Sequence, residues 1–225
     1  MFKKLLGVLA VVVLGTSSPA WAGSFAYLVG AGDADPTAQI TAAGFTPVGL
    51  TDLTAVDLAG VSVLWVTNGN NGAPPLAVTN NVAALSDWVA GNGVLSYHDR
   101  YVSDGSSDMA NVLPGAAGVT FVRNFDSDTD IDILNATTIV TTGLNNTSLD
   151  GGNSSSHGYV DGTTLPFLSL GAVSILNRGG ATNEIVDFYY PHGAGWVYYS
   201  TIPLDYYIAG GDPTPRRVTL QMCTR

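Results

Sequence analysis

The chain has 225 residues, 46% of them hydrophobic and 12% charged, with 8 Lys and Arg against 18 Asp and Glu. A chain of this length and hydrophobic content can bury the core of one domain, and its acidic balance argues against sequence-independent binding of nucleic acid, which needs a basic surface. The single Cys excludes an intramolecular disulfide, a cysteine-rich zinc site and an iron–sulfur cluster.

The first residues carry the pattern of a secretory signal peptide. Lys3 and Lys4 precede an apolar run at 5–14, and a small-residue cleavage pattern ends at Ala22. The apolar run is too short to span a bilayer as a helix. We therefore predict a signal peptide over residues 1–22, an extracytoplasmic bacterial protein that is periplasmic or secreted, and no transmembrane segment in the mature chain.

The first half of the mature chain alternates predicted strands and helices. The strands are predicted at 24–30, 46–50, 61–67 and 94–97, and the helices at 37–43 and 78–89. The run VSVLWVT at 61–67 is apolar at most positions, as strands of parallel sheets are. This order predicts a mostly parallel sheet with helices on both of its faces.

The second half is less regular. Strands are predicted at 119–123, 138–141, 172–176, 184–190 and 196–201, and a long polar loop at 145–161. The last three strands are expected to form a partly antiparallel extension of the sheet. We predict one α/β domain over residues 23–211 and an atypical C-terminal tail over 212–225, which contains Cys223.

Three stretches are similar to a known family. They are VSVLWVTNG and LSDWVAGNGVLSYH within 61–98, IVTTGL at 139–144 and HGAGWVYYSTIPLD at 192–205. These stretches resemble the trehalose-utilisation family of class I glutamine-amidotransferase-like domains. The resemblance covers most of residues 24–208 and implies a flavodoxin-like three-layer α/β sandwich.

The chain departs from that family at the positions that carry its chemistry. Glutamine amidotransferases have a nucleophilic Cys in the turn after the central strand, where this chain has Tyr97, His98 and Asp99. We therefore expect no glutamine hydrolysis by the usual thiolate mechanism. His98 matches the His that trehalose-utilisation relatives carry at this turn, whereas only Asp205 corresponds to their later Gly-His-Asp.

His98, Asp99 and Arg100 follow a predicted central strand, at the edge where open α/β sheets bind ligands. His98 could act as a general base or a metal ligand, Asp99 could orient it, and Arg100 could bind a carboxylate or phosphate. The alternative is a structural network of the three side chains. His157 and His192 could converge with His98 on a metal, or all three could be unrelated histidines in turns.

Amide and aromatic side chains near the same edge suggest a sugar-binding rim. Asn68 and Asn70 follow the strand at 61–67, and Tyr101 follows Arg100. Amides pair with sugar hydroxyls, and aromatic faces such as those of Trp65 and Tyr97 stack on sugar rings. The alternative is ordinary turn chemistry.

Residues 30–35 imitate the glycine-rich loop that binds the pyrophosphate of a dinucleotide. Asp35 stands where the third Gly of that loop is needed, and Asp33 adds a second carboxylate. Two negative charges would repel the pyrophosphate, so we reject a nucleotide site here.

Aspartates alternate in the segment DSDTDID. Asp126, Asp128 and Asp130 offer oxygen ligands at every second residue, which suits Ca²⁺. An EF-hand is excluded because the Gly and Glu that its loop needs are absent. The sequence leaves a low-affinity Ca²⁺ site or a solvated acidic edge, and we expect no other cofactor.

Two functions are consistent with these features. The first, which we favour, is a non-catalytic module that binds a glycan or a cell-surface ligand. The alternative is an enzyme that acts on a saccharide through His98. The enzyme predicts that His98, Asp99 and either His157 or His192 share one pocket, whereas the binding module predicts that the histidines are scattered or buried.

Overall fold

The fold is given by a computed structural model, which describes residues 24–31, 34–68, 73–100, 102, 109–124, 130–138, 140–149 and 156–204. The strands are β1 (Ser24–Leu28), β2 (Pro47–Leu50), β3 (Val61–Asn68), β4 (Val94–Asp99), β5 (Phe121–Arg123), β6 (Ile131–Ile133), β7 (Gly158–Asp161), β8 (Val173–Arg178), β9 (Ala181–His192) and β10 (Gly195–Ser200). The helices are α1 (Thr37–Ala42), α2 (Leu76–Thr79), α3 (Val82–Ala90), α4 (Asn146–Leu149) and α5 (Leu165–Ser169), with a 3₁₀ turn at Met109–Asn111.

All ten strands belong to one sheet with a parallel and an antiparallel part. The parallel part has the order β2-β1-β3-β4-β10. The antiparallel part is built around β9, which pairs with β10, β7 and β8. Strand β7 also pairs antiparallel with β5, and β8 pairs antiparallel with β6. The predicted mixed α/β fold with an antiparallel extension is confirmed at this level.

The apolar character of β3 places it inside the sheet, between β1 and β4. Successive strand residues point to opposite faces. Leu64 and Val66 therefore join the core on one face, and Val63 and Trp65 join the core on the other. We call these the first face and the second face.

Helices pack against both faces of the sheet. On the first face, Val78 of α2 and Leu85 and Val89 of α3 are buried in the larger core cluster. On the second face, Ile40 of α1 is buried against Phe25 of β1 and its neighbours. Within the described part of the chain, no helix has the length and apolar character needed to cross a membrane.

The helix predicted at 78–89 is broken into α2 and α3. The break falls at Asn80 and Asn81, where the Asn81 side chain donates a hydrogen bond to the Ala77 carbonyl, 2.8 Å away. Asn competes in this way with the helical backbone, which is why it favours helix ends over interiors.

The strand predicted at 138–141 is wrong, because the described residues of this segment form turns. The Thr141 hydroxyl donates to the Asn135 carbonyl, 3.0 Å away, and its backbone N–H donates to the Thr138 hydroxyl, 3.3 Å away. These local bonds replace the ladder of a strand. The polar segment predicted as a loop at 145–161 contains α4 and β7.

Candidate ligand-binding site

The carboxyl ends of four parallel strands, β1, β3, β4 and β10, meet at one edge of the sheet, which we call the carboxyl edge. The pairing register aligns Thr67 of β3 with His98 of β4, and His98 with Ser200 of β10. Open α/β sheets bind ligands at this edge.

On the first face, Asp99 is the centre of a buried hydrogen-bond network. Its carboxylate accepts from Asn68 Nδ2 at 2.9 Å, from Tyr199 Oη at 2.7 Å and from the Val102 backbone N–H at 2.7 Å. Tyr97 Oη donates to Asn68 Oδ1 at 2.6 Å. Burial and the nearby carboxylate raise the pKa of both tyrosines well above the usual value, so both stay protonated.

This network contradicts two predictions, the sugar-binding rim and the orientation of His98 by Asp99. Asn68 is 1% exposed and Tyr97 is fully buried, so neither lies on a sugar-binding rim. Asp99 and His98 are successive residues of β4 and project to opposite faces, so Asp99 does not orient His98 as predicted. Asp99 departs from the prediction because β4 continues to it, two residues beyond the predicted end, and Asn68 is buried because β3 continues to it, one residue beyond its predicted end.

On the second face, His98 is 2% exposed. Its Nε2 lies 3.0 Å from Ser96 Oγ, and its ring centroid lies 4.9 Å from that of Trp65 and 5.6 Å from that of Tyr198. Burial lowers its pKa to about 3, so the imidazole is neutral at pH 7. Its Nδ1 has no hydrogen-bond partner among the described residues.

A buried polar row runs across the second face from His98 to Asp187 of β9. Ser200 stands between them, in register with both. The Asp187 carboxylate accepts from Tyr198 Oη at 2.7 Å through Oδ2, and its buried Oδ1 has no hydrogen-bond partner among the described residues. Burial raises the pKa of Asp187 to about 6. Asp187 is not among the residues predicted from the sequence, where its only signal is a lone Asp within the apolar run IVDFYY.

A cavity of about 270 Å³ opens at the carboxyl ends of β1 and β3, on the second face. We call it the edge cavity. Its walls are the side chains of Tyr27, Trp65 and Thr67 and two pieces of the β1–α1 loop, 28–31 and 34–36. Its lining includes residues 30, 31, 34 and 35, which belong to the glycine-rich segment that imitates a dinucleotide loop.

Local contacts hold the walls of the edge cavity. The Thr67 hydroxyl donates to the Ala31 carbonyl and fixes the loop to β3. Asp35 accepts from the Thr37 backbone N–H at 2.8 Å, and so shapes the start of α1. A Cβ at Gly49 would lie 3.2 Å from Tyr27 Oη, so the glycine leaves the space that the phenol occupies. The Trp65 indole N–H is buried without a partner among the described residues.

His157 is hydrogen-bonded to the backbone immediately after β4. Its Nδ1 lies 2.8 Å from the Arg100 carbonyl, and since a carbonyl only accepts, Nδ1 carries the proton. Burial lowers the pKa of His157 to about 4. Val102, in the same turn, has φ of 53°, an uncommon conformation for a β-branched residue, which the Asp99 carboxylate stabilises through the Val102 N–H.

The predicted convergence of three histidines is not what the structure has. His192 pairs with Gly195 at the start of β10, which is the opposite edge of the sheet from His98. Its Nε2 lies 2.9 Å from Ser86 Oγ. No group of three or more His, Cys, Asp or Glu side chains able to hold a metal occurs among the described residues.

The other predicted sites are only partly described. Asp130 packs against Gly179, where a Cβ would overlap its carboxylate, and the backbone carbonyl of Asp130 accepts from the Gly179 N–H at 2.8 Å. The remaining candidates, Asn70, Tyr101, Asp126, Asp128 and Asp205, lie outside the described residues, as do the predicted signal peptide at 1–22 and the tail at 212–225 with Cys223.

Comparisons with known proteins give the fold and little more. No protein-family model matches the chain, and no curated protein sequence matches it. Among solved structures, the chain is similar to a protein called Cytoplasmic Protein STM3548 from Salmonella typhimurium, with a TM-score of 0.54 at 10% identity over 82% of this chain and 84% of that one. An exo-beta-1,4-mannosidase from Opitutaceae bacterium strain TAV5 has a TM-score of 0.45 at 11% identity over 89% of this chain and 35% of the mannosidase.

The predicted extracytoplasmic location is corrected by this comparison. The similar structure that covers most of both chains is called a cytoplasmic protein. The prediction depended on residues 1–22, which lie outside the described residues. We therefore withdraw the prediction of an extracytoplasmic location. These comparisons identify the mixed α/β fold and leave the family undetermined.

Proposed function

We propose that this protein is a non-catalytic module that binds a monosaccharide-sized ligand in the edge cavity. The observation that carries the proposal is the meeting of the Tyr27 and Trp65 rings with the Asp35 carboxylate and the Thr67 side chain around one cavity at the carboxyl edge. Carboxylates and hydroxyls bond to sugar hydroxyls, while aromatic rings contact the apolar faces of sugars.

The volume of the edge cavity indicates the size of the ligand, and its lining indicates which groups of the ligand it contacts. Sites for drug-sized molecules span roughly 300 to 1,000 Å³. At about 270 Å³, the edge cavity suits one sugar ring better than an oligosaccharide. The half-buried Tyr27 offers the accessible ring, and Trp65, only 2% exposed, forms the inner wall.

The alternative, a saccharide-acting enzyme that uses His98, has less support. His98 is not among the residues that line the edge cavity, and the Trp65 ring that lines it packs on the imidazole. Asp99 projects to the other face, and His192 lies at the other edge. A general base needs to reach the proton it removes, which this burial prevents.

The family and the finer architecture remain part of the proposal. We propose that the chain is a divergent relative of the trehalose-utilisation family with a flavodoxin-like three-layer arrangement. The resemblance of the three sequence stretches supports this, together with helices that pack against both faces of the parallel part of the sheet.

Calorimetric titration of a panel of monosaccharides into the wild-type protein and into single variants tests the proposed function. Asp35→Asn keeps an acceptor for the Thr37 N–H but removes the charge from the cavity. Its matched control is Asp52→Asn, at another exposed Asp whose carboxylate accepts from Leu53 N–H and Asn81. We expect Asp35→Asn to weaken binding and Asp52→Asn to leave it unchanged. Equal affinity in all three proteins would refute the proposed site.

A further inference from the structure

A second cavity, of about 660 Å³, lies at the opposite edge of the sheet, where β3 and β4 begin. We call it the amino-edge cavity. One wall is the segment 58–62, which leads into β3, together with Ala55. The other wall is α3 and the turn after it, including Ala84, Asp87, Trp88 and Gly93. No predicted site and no part of the proposed function uses this cavity.

The indole of Trp88 is held in place within this cavity. Its Nε1 donates to the Val61 carbonyl at 3.0 Å. A Cβ at Gly93 would lie 2.5 Å from the indole ring, so the ring packs directly on the glycine backbone. Trp88 is half-buried, and a ring fixed in this way is pre-organised for a ligand, because binding does not have to order it.

Asp87 is the charged residue of the cavity lining. It is exposed, and no cationic side chain of the described residues pairs with its carboxylate. An aromatic ring attracts a cation to its face, and a carboxylate supplies the opposite charge. A volume of about 660 Å³ lies within the usual range for small-molecule sites.

We propose that the amino-edge cavity binds a small organic ammonium ion, with Trp88 as its aromatic wall and Asp87 as its counter-charge. The net charge of the whole chain, −10, favours cations in general. A fixed indole and a carboxylate that has no cationic partner among the described residues line the same cavity, which makes this attraction local. The proposal is independent of saccharide binding at the carboxyl edge.

The probe is choline, which is titrated at constant ionic strength into the ¹⁵N-labelled protein. The readout is the indole N–H resonance of Trp88, which is assigned by its loss in Trp88→Phe. We expect a saturable shift. The uncharged isostere 3,3-dimethylbutan-1-ol should bind less tightly, because it has the same shape without the charge. Absence of a saturable shift, or equal affinity for the two compounds, would overturn the proposal.

Two variants connect the binding to this cavity. Asp87→Asn should weaken choline binding about fivefold, as expected for one partly exposed charge. Ala84→Leu fills the cavity and should abolish binding, whereas Ala83→Leu, an exposed neighbour on α3 outside the lining, should bind like wild type. If Ala83→Leu and Ala84→Leu lose binding equally, or if Asp87→Asn binds as tightly as wild type, the assignment is wrong.

Discussion

The indole ring of Trp65 packs on the imidazole of His98, with their centroids 4.9 Å apart. Trp65 lines the edge cavity and His98 lies behind it, bonded to Ser96. His98, which the sequence suggests as a catalytic residue, therefore supports the wall of the edge cavity and does not face the cavity itself.

His98→Ala should destabilise the fold by about 2–4 kcal/mol, because it leaves a hole beneath Trp65 and removes the partner of Ser96. Urea unfolding at neutral pH measures this free energy. His98→Gln, which keeps a hydrogen-bonding group and much of the volume, should cost less. A His98→Ala protein as stable as wild type would show that the imidazole does not support the indole.

The stability of the protein should fall in acid. Burial lowers the pKa of His98 to about 3 and that of His157 to about 4, whereas both take up protons near pH 6.5 when the chain is unfolded. The unfolded state therefore binds more protons below pH 6.5, and the free energy of unfolding decreases as the pH falls toward 4. Chemical denaturation at a series of pH values should give this slope, and His98→Gln should make it shallower.

Asp187 should oppose that trend. Its pKa is raised to about 6 in the fold from an ordinary value of 3.8, so the stability that its protonated form contributes in acid is lost as the pH rises from 4 to 6. Asp187→Asn removes this opposing contribution. The variant should therefore lose stability more steeply than wild type between pH 6 and pH 4, as measured by the same denaturation series. An identical slope would mean that Asp187 does not titrate in this range.

The hydrogen bond between Tyr199 and Asp99 should be coupled to the rest of its network. Tyr199→Phe leaves a buried carboxylate oxygen without this donor, at a cost of about 1–3 kcal/mol. Asp99→Asn should cost at least as much, because it also disturbs the bonds from Asn68 and the Val102 N–H. A double-mutant cycle of unfolding free energies should be non-additive, whereas additive values would indicate that the two groups do not interact.

Gly49→Ala should weaken saccharide binding without unfolding the protein. The added methyl would lie 2.9 Å from Val29 Cγ2 and 3.2 Å from Tyr27 Oη, so the Val29 side chain and the Tyr27 phenol, both from residues that line the edge cavity, have to move. Thr51→Ala, at an exposed position just after β2, is the control. Comparison of the two affinities for the same monosaccharide checks this prediction, and equal affinities would mean that the position of the Tyr27 ring does not matter.

The sequence predicts four strands of the parallel part, β1 to β4, because β3 is apolar on both faces and its neighbours end in recognisable turns. It assigns β10 to the partly antiparallel extension, whereas β10 pairs parallel with β4. It also places His98 at the carboxyl edge correctly. It does not predict that His98 and Asp99 lie on opposite faces of the sheet, because β4 continues to Asp99 beyond its predicted end. It also fails for the Thr-rich segment at 138–141, where hydroxyl bonds to the backbone replace strand pairing.

The candidate site was harder to predict than the fold. The buried polar row exists only because β10 pairs with both β4 and β9, which aligns Ser200 with His98 and Asp187. The β4–β10 pairing joins segments about a hundred residues apart, such as Val94 and Trp196, and so leaves no local pattern in the sequence. The edge cavity likewise brings Tyr27 and Trp65 together through the β1–β3 pairing, in which the two residues are direct neighbours.

Mapping of a bound monosaccharide on the wild-type protein tests the central claim most directly. Backbone and indole resonances are followed during titration with the sugar that binds best in calorimetry. We predict that the largest shifts cluster at Tyr27, residues 29–31, Trp65 and Thr67. Shifts confined to the amino-edge cavity around Trp88, or no saturable shift with any sugar, would contradict the proposal that the edge cavity binds a saccharide.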